Sequence, residues 1–105
     1  MADTVAPIAP YPVTTSAATV YEVPAGSTFV MRSIHATNVS HATTEVYLSI
    51  GEDSVDSRWL SGLALDGGQA YSWSGFFPIT SGTKIQAFAD DDDRVVLFIG
   101  GVEIS

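Results

Sequence analysis

The chain has 105 residues, 46% hydrophobic and only 15% charged, a balance that excludes disorder and gives one domain able to bury a modest core. Twelve acidic residues against four basic ones, Arg32, Arg58, Lys84 and Arg94, leave a net charge of −8; phosphate backbones and anionic lipid would be repelled, which argues against nucleic acid and membrane as partners. Cysteine is absent, which removes disulfides, thiolate metal sites and thiol nucleophiles.

No apolar run reaches the roughly 20 residues of a membrane-spanning helix. The opening MADTVAPIAPYP has neither a basic leader nor a continuous apolar stretch, so it does not read as a signal peptide. Residues 1–18 form a compositional zone of their own. Pro7, Pro10 and Pro12 are expected to break any ladder or helix, and TTSAA follows without periodicity. This predicts an extended N-terminal arm leading into a sandwich domain over 19–105. Val5, Ile8, Tyr11 and Val13 are spread through the arm, so it is expected to lie on its own domain or to dock on a neighbour.

From Thr19 onward every segment reads as a strand. TVYEV (19–23) is β-branched and aromatic, TFVMRSIHATNV (28–39) follows a glycine turn, and TEVYLSI (44–50) alternates with Val46, Leu48 and Ile50 on one face. The polar loop GEDSVDSR precedes WLSGLAL (59–65). QAYSWSGFF (69–77) sets Tyr71, Trp73 and Phe77 on one parity, and KIQAFA (84–89) and RVVLFIGGVEIS (94–105) flank an aspartate run. No segment carries a 3.6-residue apolar stripe. The pattern predicts an all-β chain, an antiparallel β-sandwich or jelly roll of seven to eight strands.

Three turns share one skeleton: VPAGSTF (23–29), LDGGQAY (65–71) and ITSGTKI (79–85). In each, a glycine supplies positive φ while apolar residues six apart anchor both ends in the core. Phe29 and Met31 differ in parity from Ile34, Ala36 and Asn38. If all face inward, a β-bulge is required near Arg32–Ser33; otherwise Phe29 and Met31 lie outside and belong to an interface.

Chemistry-bearing residues are few. Asp90, Asp91, Asp92 and Asp93 read as a solvated hairpin, with calcium ligation and docking of a neighbour's arginines as alternatives, since calcium needs six to eight oxygens. Glu52, Asp53 and Asp56 lack the spacing of a calcium loop. No cofactor is expected. His35 and His41 read as polar strand and loop residues, and Asn38 is expected to tie its amide to the following turn. Nucleophile and phosphate-loop motifs are missing, so no enzyme is predicted. Trp59, after a charged loop, is the expected exposed aromatic. Phe76 and Phe88 fall on the outward parity and, with Trp59, Val5, Ile8, Tyr11 and Val13, are the expected oligomer or partner contacts.

The series TVYEVPAGSTFVMRSIHATNVS, TTEVYLSIG, LDGGQAYSWSG, ITSGTKIQAFA and GVEIS resembles small structural proteins of tailed bacteriophage virions over residues 19–105. The resemblance implies a β-sandwich virion protein, assembled in the host cytoplasm. It would form a homo-oligomer, a trimer by expectation, that decorates the capsid by binding the major capsid protein. A neck, tail or fibre-attachment component is the alternative, and a carbohydrate-binding module for host attachment a more distant one. No catalytic residues follow from the resemblance.

Overall fold

The computed structural model describes residues 3–5, 8–51 and 54–104, with side chains from Tyr11 onward except at Val55. Its strands are β1 Asp3–Val5, β2 Ile8–Pro12, β3 Ala18–Glu22, β4 Thr28–Asn38, β5 Thr44–Ile50, β6 Arg58–Leu65, β7 Ala70–Ile79, β8 Lys84–Ala89 and β9 Val95–Ile104, with one 3-10 turn at Val55–Ser57. Period-two alternation produces them: in β8, Ile85, Ala87 and Ala89 are buried while Lys84, Gln86 and Phe88 face outward.

Two antiparallel layers result. One is ordered β1/β2–β9–β4–β7 and the other β3–β8–β5–β6. β1 pairs with residues 102–104 of β9 and β2 with residues 96–99, so they share one edge and each layer is four strands wide. The pairs β2–β9, β3–β8, β4–β7 and β5–β6 are nested, first with last. This is a long hairpin rolled upon itself, the jelly roll.

Three features depart from the sequence-based expectations. The prolines of the N-terminal segment do not prevent a ladder: β1 and β2 hydrogen-bond to β9 at the sheet margin, where a missing N–H can face solvent, and the register shifts between Ile8 and Tyr11. Val13, an expected partner contact, is instead fully buried in the chain's own core, and its N–H donates to the Val95 carbonyl at 2.9 Å. The aspartate run is not a hairpin, because β8 and β9 lie in different layers.

The glycine turns close as expected. Gly26, Gly68 and Gly82 have φ of 81°, 80° and 80°. The backbone bonds Ser27 N to Pro24 O, Gln69 N to Asp66 O and Thr83 N to Thr80 O span them at 3.1, 2.9 and 3.3 Å, the type II arrangement. Each turn carries the chain from one layer to the other, so the flanking apolar residues enter a shared core from opposite sheets.

The bulge forms at Arg32. β4 shifts register against β9 between Met31 and Ser33, with Met31 opposite Gly101 and Ser33 opposite Gly100. Phe29 and Met31 therefore point inward together with Ile34, Ala36 and Asn38, all buried. The core between the layers is built on Phe29, Met31, Ile34, Leu48, Ile85, Leu97 and Ile99.

Candidate interaction surfaces

No enclosed cavity forms among the described residues. What the fold offers a partner is therefore sheet faces, edges and corners.

The two outer faces differ in charge. On the β3–β8–β5–β6 layer, Glu22 sits opposite Lys84, and Glu45 and Arg58 lie on the same side. Phe88 is on this face, as its parity predicts. Its ring stacks on Tyr47 at 4.4 Å and 3°, with the Arg58 guanidinium 5.0 Å from the Tyr47 centroid and 5.4 Å from that of Phe88. The Tyr47 phenol is held above its ordinary value by burial first, then by the charges of Glu45 and Asp90 and a hydrogen bond to Glu45, with Arg58 opposing.

The outer face of the β9–β4–β7 layer is different. His35 occupies its middle, with Nδ1 2.8 Å from Ser72 Oγ and Nε2 2.9 Å from Thr37 Oγ1. The hydroxyls can serve either ring nitrogen as donor or acceptor. The Phe98 ring lies 6.0 Å from the imidazole and is 39% exposed. At the bulge, Arg32 Nε donates to the Gly75 carbonyl at 2.9 Å, and the next residue, Phe76, is 69% exposed, the outward position its parity predicts.

Trp59 is not a free-standing aromatic. It lies half-buried at the β6–β7 margin, edge-on to Trp73 at 5.2 Å and to Phe77 at 4.7 Å, where it packs across the open side of the sandwich. Tyr11 is also partly buried against the core. The side chains of Val5 and Ile8 lie outside the described part of the structure, as do Glu52 and Asp53. Asp56 is exposed in the 3-10 turn.

The acidic corner between β8 and β9 is tied down by its neighbours. Asp91 pairs with Arg94 at 3.0 Å, Asp92 Oδ1 accepts the Thr15 N–H at 2.8 Å, and the Asp93 N–H donates to the Val13 carbonyl at 3.2 Å. Asp93 takes φ of 60°, a conformation aspartate tolerates better than most residues. Among the described residues no three acidic or histidine side chains converge as a metal cluster would, and no helix is long and apolar enough to cross a membrane.

Sequence reasoning missed two exposed apolar residues, Phe98 and Val39, the latter 59% exposed beyond the end of β4. The signal for Phe98 was present: it sits between the inward Leu97 and Ile99, the same outward parity that marks Phe88. It was masked by the continuous apolar run VVLFI.

No protein-family model matches the chain, and no curated protein matches it in sequence. The structure is similar to a chain of the acidic stable capsid structure of Helicobacter pylori bacteriophage KHP30, with a TM-score of 0.61 and 13% identity, over 98% of this chain and 87% of that one. The two chains share a fold.

Proposed function

We propose that this protein is a structural component of a bacteriophage virion, an oligomeric decoration protein that binds the major capsid protein. The observation that carries this reading is the fold likeness to a phage capsid chain along nearly the whole length of both. The layout of the surface supports it. The apolar side chains left outside the core, Phe76, Phe98 and Val39, lie on flat faces and corners suited to protein neighbours. Phe76, and Phe88 with its Tyr47 and Arg58 partners, are the side chains we assign to contacts with neighbouring proteins of the particle. Tyr11 joins them at the N-terminal edge, where Val5 and Ile8 complete the expected set. No catalytic role is assigned to any residue.

Carbohydrate recognition by Trp59 is disfavoured, because that ring is already engaged by Trp73 and Phe77. Mass spectrometry of purified particles tests the main reading. The protein should be present at a copy number matching capsid sites. A number matching a ring on the tail axis would move it to the neck or tail, and absence from particles would remove the virion reading.

A further inference from the structure

Two copies of a chain with net charge −8 can associate tightly only where their contact brings no carboxylates together, because like charges facing one another across an interface cost several kcal/mol. Among the described residues the distribution of charge over the jelly roll leaves one broad surface that meets this condition. β4 and β7 contain no Asp, Glu or Lys. The one carboxylate of β9, Glu103, is opposite Phe29 and accepts the Tyr21 hydroxyl, so it faces the inside of the sandwich. Other acidic groups lie at the corners, Asp66 and Asp90–Asp93, and in the turn with Asp56, while the opposite layer carries charges of both signs; Asp3 is on β1 at the edge of this layer, outside the three strands of the face.

We infer that the outer face of β9, β4 and β7, centred on His35 and Phe98, is the surface through which this chain binds a second copy of itself. The inference rests on the oligomeric reading above and names the surface that serves it. At the centre, Phe98 lies beside an imidazole whose two nitrogens are held by Ser72 and Thr37. The polar groups are thus ordered within the sheet and the aromatic ring is left to fill a neighbour's surface. At the bulge, Arg32 is held at Gly75 beside the protruding Phe76, a pairing of the residue types that dominate interface energetics. Three strands at ~4.8 Å spacing and about ten residues at ~3.3 Å give a projected face of about 480 Å², the centre of a contact that needs roughly 800 Å² per partner once the protruding side chains and the rim are included. A cationic partner would find no carboxylate on this face, and an acidic one would find only Arg32. A surface equally neutral on both sides matches the copy itself.

Analytical ultracentrifugation of the full chain over a range of concentrations tests this. The wild type should sediment as an oligomer. Phe98→Asp places a carboxylate at the centre of the contact and should weaken self-association by about 30-fold or more. Ser72→Asp, at an exposed position, should do the same should the first variant fold poorly. Thr19→Asp, on the opposite layer, should sediment as the wild type does. Circular dichroism spectra and thermal midpoints establish that each variant is folded. A monomeric wild type, or folded Phe98→Asp and Ser72→Asp proteins that remain oligomeric, would overturn the assignment. Particle mass spectrometry reads the virion role independently, so the failure of either idea is distinguishable from failure of the other.

Discussion

The hydroxyl of Tyr21 on β3 donates to the carboxylate of Glu103 on β9, joining the two layers beside the Phe29 ring, which lies 4.8 Å from that of Tyr21. Burial, then the hydrogen bond to Glu103, then that group's charge hold the Tyr21 phenol well above its ordinary value. In the unfolded chain the same phenol ionises near pH ~10. The folded state therefore retains a proton that the unfolded state releases, and stability is intact below that pH and falls as pH rises past it. Tyr21→Phe should lower stability at neutral pH by roughly 1.5–3 kcal/mol, the worth of a hydrogen bond to a charged group. It should also flatten the alkaline decline in urea titrations run from pH 8 upward. Tyr47 is displaced in the same direction, so part of the slope should persist. An unchanged slope would mean that Tyr21 ionises within the folded protein.

Removing Arg32 should be far worse than replacing it. Arg32→Ala keeps the extra residue that shifts β4 against β9 between Met31 and Ser33. Deletion would turn residues 28–31 over and bring Phe29 and Met31 out of the core. Truncating such side chains costs about 3–5 and 2–5 kcal/mol, against a total stability of about 5–15 kcal/mol. The deletion should give no cooperative thermal transition, and Arg32→Ala should melt close to the wild type.

The adjacent glycines of β9 should respond differently to alanine. At Gly101 a Cβ would fall 2.6 Å from the Phe29 ring and press on the Val30 carbonyl. At Gly100 it would meet only the Ser33 hydroxyl, at 2.8 Å, and an exposed serine can rotate away. Gly101→Ala should destabilise by about 1–3 kcal/mol, as overpacking does. Gly100→Ala should stay within about 0.5 kcal/mol of wild type in chemical denaturation.

Buried Asn38 joins two corners. Its Nδ2 donates to the carbonyls of Ala42 and Leu65 at 2.7 and 2.8 Å, and its Oδ1 accepts from the Ser40 N–H and hydroxyl. Asn38→Ala should cost roughly 1–3 kcal/mol, because the buried Leu65 carbonyl loses this donor, whereas the exposed Ala42 carbonyl keeps the Ser40 hydroxyl. Thr44 presents the reverse case: its hydroxyl is buried without a hydrogen-bond partner. Thr44→Val keeps the shape and removes the orphan, so it should raise stability by up to about 1 kcal/mol, seen as a higher denaturation midpoint. A lower midpoint would show that the hydroxyl has a partner in solution.

The sequence by itself determined the local elements. Alternation located the strands from β3 to β9, because period two is imposed wherever one sheet face is buried. Three glycines located the turns, because positive φ is costly for other residues. The parity break between Met31 and Ile34 offered either a bulge or an outward Phe29 and Met31, a choice that the core made, and the outward parity of Phe76 and Phe88 placed both on the surface. Only the tertiary structure decided how strands pair, because an antiparallel ladder between β1 and β9 or β3 and β8 joins residues far apart in the chain through backbone groups that every residue carries. For that reason the prolines of the N-terminal segment did not reveal an edge strand, and Val13 did not reveal a core residue. Nor did Trp59, next to a polar loop, announce its contact with β7. The carboxylate-free outer face was equally hidden, since it is assembled from three segments of β4, β7 and β9 that become neighbours only when the long hairpin is rolled up.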